Sequence, residues 1–135
     1  MSLWKVFDIA GASMSAQSVR LNTTASNLAN ANTASGSAEE AYSARHPVFE
    51  TVMDWESEAS AGVRVSDITT SDKEPAKVHQ PGHPEADADG YIYMSNVNPV
   101  DELVNMISAS RGYQNSVEIM NTSKELLLRT LRLGQ

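Results

Sequence analysis

The residues best suited to ligand chemistry lie in one short segment, HQPGHPEADADG, at residues 79–90. Its potential ligands are His79, His83, Glu85, Asp87 and Asp89. Histidines four residues apart hold a metal when they share one face of a helix, but the prolines and glycine between them predict an irregular loop. The DADG tetrapeptide is similar to the start of a calcium loop, yet no glutamate stands where such a loop closes. The segment favours a solvated acidic turn over a metal site.

The other polar residues form no catalytic pattern. Serine and threonine are abundant, but Gly-x-Ser-x-Gly is absent and only three histidines exist, two of them in the segment above. A Gly-x-x-x-x-Gly-Lys phosphate loop is also absent. We therefore predict that the chain is not an enzyme, binds no cofactor or metal, and acts on no small-molecule substrate.

Composition limits the remaining function classes. The chain has 135 residues, the length of one domain, with 41% hydrophobic and only 6% aromatic residues, so its core will be thin. A net charge of −7 argues against nucleic-acid binding, which needs a basic face. The absence of cysteine excludes disulfides and cysteine-bound metals. The N-terminus lacks the pattern of a cleavable signal peptide, and no apolar run is long enough to span a membrane.

The negative charge is concentrated in the middle of the chain. Residues 33–98 contain twelve acids and four bases, whereas the two ends together contain five acids and six bases. Nearly neutral ends can approach copies of themselves without strong repulsion, while an acidic middle keeps the chain soluble.

The first 31 residues carry an apolar pattern typical of a long helix. Spacings of four and three residues alternate along Leu3, Phe7, Ala10, Met14, Gln17, Leu21, Thr24 and Leu28. A sustained repeat of 3.5 residues forms the contact line of a left-handed helix pair. The pattern predicts a helix over about residues 3–31, roughly 40 Å long.

The last 37 residues predict a second long helix with defined ends. Asn98 is suited to be its N-cap, Pro99 its first residue, and Asp101 lies near the positive helix end. The apolar line then runs through Leu103, Met106, Ser110, Tyr113, Val117, Met120, Lys124, Leu127 and Leu131. Gly134 is placed to end the helix.

Short strands are predicted between the two helices. β-branched and aromatic residues at 47–55, 62–69 and 90–95 are bounded by Gly, Pro, Asp and Ser. The expected fold class is α+β, with long N- and C-terminal helices that pair like a coiled coil and a small β domain between them. The predicted units are residues 1–32, 33–98 and 99–135.

The two long helices favour self-association. In a single chain, much of the apolar line on each helix would stay exposed to water, and long helices depend on packing of their apolar face. Asparagines at a packing line fix the register of neighbouring helices. Asn27 and Asn30 fit that role, whereas Asn32 and Thr33 are better explained as a helix end. The predicted assembly residues are Leu3, Phe7, Met14, Leu21, Asn27, Leu28, Asn30, Leu103, Met106, Tyr113, Val117, Met120, Leu127 and Leu131.

Both ends of the chain resemble one known family. NTTASNLANANTASG, from residue 22, is similar to the segment that closes the N-terminal helix of bacterial flagellar rod and hook proteins, and residues 98–135 are similar to their C-terminal helix. HPEADADGYIYMSNVNPVDE and the short middle narrow the resemblance to a proximal rod protein within that family.

The resemblance implies a structural subunit of the flagellar basal-body rod. It implies helical polymerisation through the terminal helices with copies of itself and other rod subunits, to form the periplasmic drive shaft that transmits torque and encloses the export channel. It also implies export by the flagellar type III apparatus without a cleaved signal peptide. Residues 49–53 fit a loose pattern of early export substrates, although the pattern arises often by chance and a buried strand explains these residues better. Residues 34–41 depart from many relatives and make the following loop more acidic.

Two other functions are compatible with the residues alone. One is a soluble helical adaptor or chaperone that folds by itself as a helix pair with a β cap. The other is an enzyme that uses the segment at 79–90. The fate of the helical ends in the isolated chain separates the adaptor from the rod subunit, and metal content tests the enzyme.

Overall fold

A computed structural model describes residues 3–53 and 61–134. The elements in chain order are α1 (Leu3–Ala29), β1 (Ala34–Ser35), β2 (Arg45–Met53), β3 (Ala61–Thr70), β4 (Ala76–His79), β5 (Tyr91–Met94) and α2 (Pro99–Leu133). Two long terminal helices thus enclose a small antiparallel β region. The predicted α+β class is confirmed. Within the described residues, no helix is long and apolar enough to cross a membrane.

The ends of α2 follow the local sequence. Asn98 is the N-cap, with extended backbone angles, and its side-chain oxygen accepts from the Val100 amide at 3.1 Å. Pro99 occupies the first turn without losing a bond, because the first amides of a helix have no partner inside it. The helix ends at Leu133, directly before Gly134, as predicted.

α1 ends two residues earlier than predicted, at Ala29. The Asn30 side-chain amide donates to the Ser26 carbonyl at 2.8 Å, and the Thr33 hydroxyl donates to the Asn30 carbonyl at 2.8 Å. The same two carbonyls also accept from the backbone amides of Asn30 and Thr33 at 3.2 Å, so side-chain and main-chain bonds together close the helix end. The alternation of asparagine and threonine therefore stops the helix and turns the chain.

The β region consists of two separate sheets. β2 and β3 form a long antiparallel hairpin, with a change of register between Val48 and Phe49. β1, β5 and β4 form a three-stranded antiparallel sheet with β5 in the centre. The predicted strands at 47–55 and 62–69 correspond to β2 and β3, although residues 54 and 55 lie outside the described part of the chain.

Two strands and one boundary differ from the sequence prediction. β1 has two residues and β4 has four, and both exist only through pairing with β5. His79, predicted to be in the loop, ends β4 and pairs with Tyr91. β5 begins after Gly90, because Gly90 has a φ of 79° and belongs to the turn. Such short segments have too little periodicity to be found locally.

The two helices pair antiparallel within the chain. Arg20 on α1 donates to Asn105 on α2 at 2.9 Å, and the Ser13 and Ser116 hydroxyls are 2.9 Å apart. From the first contact to the second, the residue number decreases along α1 and increases along α2, so the two helices run in opposite directions. The hairpin packs along α1, and among the described helices and strands α2 contacts α1 alone. Among residues 3–53 and 61–134, one long face of α2 therefore has no partner element.

Candidate assembly surface

The contact line between the helices is built from small and polar residues. On α2 every seventh residue is buried, at Glu102, Ala109, Ser116 and Ser123. These four residues, with the α1 side chains that face them, are called the small-residue seam below. Its hydroxyls are satisfied locally, since Ser116 Oγ lies 3.0 Å from the Gly112 carbonyl and Ser123 Oγ bonds the Ile119 carbonyl at 2.8 Å. Their burial therefore leaves no unpaired hydroxyl.

The seam lies one residue away from the predicted line on α2. The heptad spacing is confirmed, but Leu103 and Leu131, which the prediction put on the line, are 51% and 60% exposed. A helix pair can close on small residues because they allow the two backbones to approach. At Gly112 a Cβ atom would stand only 3.1 Å from the Gln17 side chain. A side chain at position 112 would therefore require the Gln17 side chain to shift.

The predicted assembly residues fall into three groups. Half-buried along the two helices are Leu3, Phe7, Met14, Leu21, Leu28, Met106, Tyr113, Val117, Met120 and Leu127. Leu103 and Leu131 are exposed. Asn27 is fully buried, and Asn30 lies just beyond the end of α1. An interchain role for these residues stays a prediction, because the structure contains one chain.

Sequence reasoning missed most of the exposed apolar residues of α2. They are Val100, Val104, Ile107, Ile119, Leu126, Leu128 and Leu133. Two lines spaced by seven residues contain most of them, one with Val100, Ile107 and Leu128 and one with Ile119, Leu126 and Leu133. This second set of heptad spacings was visible in the sequence, and it indicates a surface for a further helix.

Asn27 joins the end of α1 to the start of the hairpin. Its side chain is fully buried and makes three hydrogen bonds within its own chain. Its Nδ2 donates to the Arg45 carbonyl at 2.8 Å, while its Oδ1 accepts from the Arg45 amide at 2.9 Å and from the Tyr42 hydroxyl at 3.0 Å. In this structure Asn27 therefore positions the hairpin on the helix, and its predicted contact with a neighbouring chain stays a prediction.

Asn96 holds the adjacent residue of the same segment. Its Oδ1 accepts from the Ala44 amide at 2.7 Å, and its Nδ2 donates to the Lys73 carbonyl at 2.6 Å. Beside it Ala31, Ala44 and Val97 form the small buried apolar cluster. The two asparagines thus fix the backbone at residues 44 and 45, where the chain enters β2. We call Asn27, Tyr42, Arg45 and Asn96 the hairpin junction.

The predicted ligand segment is an ordered turn whose polar atoms bond to its own backbone. His83 Nδ1 accepts from the Glu85 amide at 3.1 Å, and Asp87 Oδ1 accepts from the amides of Asp89 and Tyr91 at 3.0 and 2.8 Å. His79 instead packs edge-on against the Tyr91 ring. No group of three or more histidine, aspartate or glutamate side chains among the described residues is placed to hold a metal ion.

The hairpin adds a second apolar surface. β2 was expected to be buried if residues 49–53 formed a strand, and this expectation is wrong, because Phe49, Val52 and Met53 are all exposed. A groove of about 550 Å³ separates the hairpin from the first half of α1, with Ile9 and Val63 among its lining residues. The hairpin of a single chain therefore presents apolar side chains on an open surface.

Comparison with known proteins decides the family. Residues 7–34 match the model of the flagella basal body rod protein, and residues 88–133 match that of the flagellar basal body rod FlgEFG protein C-terminal. The flagellar basal-body rod protein FlgC of Yersinia enterocolitica is 50% identical to this chain, and those of Escherichia coli O157:H7 and Salmonella typhimurium are 48% and 47% identical. Each comparison covers all of both chains. The chain belongs to the FlgC family.

The two family matches coincide with the helix pair and include the two asparagines of the hairpin junction, Asn27 and Asn96. The first covers α1 from Phe7, including Asn27 and the helix end, and the second covers β5 and the whole of α2. The β2–β3 hairpin lies between them. The resemblance identified from the asparagine-rich segment and from the C-terminal helix is confirmed. In this FlgC-family chain, the predicted helices are thus the parts shared with rod proteins in general.

Proposed function

We propose that this FlgC-family chain is a structural subunit of the flagellar basal-body rod and that it assembles with copies of itself and other rod subunits through the exposed faces of its terminal helices. In this role it forms part of the periplasmic shaft that transmits torque and encloses the export channel. The family supports a structural role and not catalysis, since the relatives compared above are rod proteins.

One observation carries the assembly mechanism, namely the inverted burial of α2. Ala109, Ser116 and Ser123 face α1 on its buried line, while many of its large apolar residues are exposed. Exposing large side chains costs the free energy that their burial would release, about 1.5–3 kcal/mol for a fully buried leucine, valine or isoleucine. An exposed apolar face of this length is typical of a protein interaction surface. Neighbouring subunits would bury it.

The adaptor hypothesis receives some support from the intrachain pairing of α1 and α2, because the two helices hold together without a neighbour. Full-length identity to FlgC proteins favours the rod subunit instead. We further propose that residues 1–32 and 99–135 form an inner helical layer and residues 33–98 an outer part. This division follows the helix pair and the two separate sheets.

Export and location belong to the same proposal. A rod subunit must cross the inner membrane, and we propose that the flagellar type III apparatus carries it without removing a signal peptide. Mass spectrometry of the chain recovered from purified basal bodies tests this. A mass that matches the whole sequence, with or without the first methionine, agrees with the proposal, and loss of a longer N-terminal segment contradicts it. A signal at residues 49–53 stays a prediction.

The assembly surface is tested with Leu131→Asp. Leu131 is 60% exposed, so the isolated chain should keep its helix content and its urea midpoint. In an assembled rod the new carboxylate would enter a desolvated interface, where an unpaired charge costs several kcal/mol. We expect loss of the chain from purified basal bodies and loss of swimming motility.

Asn121→Asp is the matched control, because it adds the same charge to an exposed polar position on the same helix. It should assemble and support swimming. Normal swimming by Leu131→Asp, with a normal amount of chain in the basal body, would contradict the proposed use of this surface.

A further inference from the structure

The outer face of α2 is apolar only at its two ends. Val100, Ile107, Gln114, Asn121 and Leu128 occur at intervals of seven residues and are all exposed. They lie two residues before the buried positions of the small-residue seam, which is about 200° around the helix, so they face away from α1. The outer face is therefore apolar at its start and its end and polar in the middle.

The two apolar ends have matching patterns and opposite charges. VDEL at residues 100–103 and LRTL at residues 128–131 both place apolar residues three positions apart. These four apolar side chains, Val100, Leu103, Leu128 and Leu131, are 45–66% exposed. The exposed acid at the start is Asp101, since Glu102 is buried in the seam, whereas the end exposes Arg132 and Arg129, of which Arg129 is also paired with Glu125 at 3.9 Å.

We propose that the outer face at the end of α2 in one copy packs beside the outer face at the start of α2 in a second copy. The two helices run in the same direction and are displaced by 28 residues. This displacement is four heptads, so Leu128 meets Val100 and Leu131 meets Leu103 at equal heptad positions, as in a parallel helix pair. The inference rests on the proposed rod function and identifies one contact within it.

Three features favour a second copy of this chain as the partner. The start and the end of α2 have the same apolar spacing. Their exposed charges are opposite, which favours contact of a start with an end over contact of two starts or two ends. The polar middle, with Gln114 and Asn121, would stay hydrated. A contact between two different patches of one chain leaves an unused patch at each end, so it extends an open assembly in place of closing a dimer.

The contact is tested by disulfide trapping with Leu103→Cys combined with Leu131→Cys. The chain has no cysteine of its own, so every disulfide between copies of this chain must join introduced residues. Within one chain the two positions are about 42 Å apart along the helix, whereas a disulfide needs Cα atoms within about 7 Å. Basal bodies purified from a strain that makes only this variant are oxidised, then denatured without reductant.

We expect covalent dimers and higher multiples of this chain, with peptides joined through positions 103 and 131. Each single variant should remain monomeric. The control pair is Leu103→Cys with Ile119→Cys, in which the second residue is an equally exposed apolar residue of α2 outside both patches, and it should give no multiples.

The inference is wrong if the double variant assembles but gives no more multiples than the control pair, if single variants form dimers, or if position 131 links to a different rod protein. In all three cases the variant is still present in the basal body, so the proposed rod function stands. Absence of the unmodified chain from basal bodies is the separate result that would refute the rod function.

Discussion

Replacement of Asn27 by alanine tests the hairpin junction. The substitution removes three hydrogen bonds from a fully buried side chain. Tyr42 keeps a second partner, because its hydroxyl is 3.2 Å from Ser26 Oγ. The Arg45 amide and carbonyl lose the Asn27 side chain, and each of these partly buried groups costs about 1–3 kcal/mol when it is left unpaired. The expected loss is therefore about 4 kcal/mol in the free energy of unfolding.

A loss of this size is large for this chain. Domains of similar length are stable by about 5–15 kcal/mol, and most of the buried hydrophobic residues described here are alanines. In urea, with a slope of about 2 kcal/mol per molar, the midpoint should fall by about 2 M. Hydrogen exchange should also rise at the amides of residues 44 and 45, where the two asparagines hold the backbone.

Asn22→Ala is the matched control, because Asn22 is exposed on the same helix. Alanine favours the helix slightly more than asparagine does, so its urea midpoint should stay equal or rise a little. If Asn27→Ala lowers the free energy of unfolding by less than about 1 kcal/mol, water replaces the lost bonds and the junction is not the fixed point inferred here.

Three further substitutions test the fold by urea unfolding of the purified chain. Gly90→Ala should lower the free energy of unfolding by about 1–3 kcal/mol, because φ is 79° and the new Cβ would lie 2.9 Å from Pro81 Cβ. Gly82→Ala, which has open space around it, should not lower it. Equal effects of the two substitutions would contradict the account of the turn. Gly112→Leu should lower the free energy of unfolding by about 1–3 kcal/mol, because the larger side chain forces the helices apart. Gly11→Ala, with open space around it, should raise it by up to about 1 kcal/mol. If Gly112→Leu has no effect, the seam is not closely packed. Arg64→Ala should change stability by less than about 1 kcal/mol, because the Arg64–Glu50 pair is largely exposed, and a larger loss would show that the hairpin depends on it.

The helices were predictable because their signals are local and repeated. Asn98, Pro99 and Gly134 mark the ends of α2 by backbone geometry that depends on neighbouring residues only. A heptad pattern over about 30 residues is also hard to mistake for a strand. The small strands β1 and β4 were not predictable, because they exist through pairing with β5, which lies far away in the sequence.

The candidate surface was predictable in spacing but not in position. The sequence indicated that α2 has heptad lines, yet several adjacent lines carry apolar residues, and the pattern left open whether a line packs within one chain or between chains. The structure places Ala109 and Ser116 against α1, since small residues permit the closest approach, and leaves Leu103 and Leu131 exposed. Which line is inside depends on the shape of the partner helix, and a single-helix pattern does not contain that information.

Asn27 shows most clearly which features depend on the local sequence and which depend on the tertiary structure. The sequence alone determined the two long helices, the acidic middle and the rod-protein family, because helix period, caps, charge and family motifs are all properties of short segments. Only the tertiary structure decided that the Asn27 amide faces the start of the hairpin, with Arg45 eighteen residues away as its partner. An asparagine side chain can donate and accept equally well toward a neighbouring chain or its own. The choice between them depends on which backbone groups the fold leaves without a partner beside it.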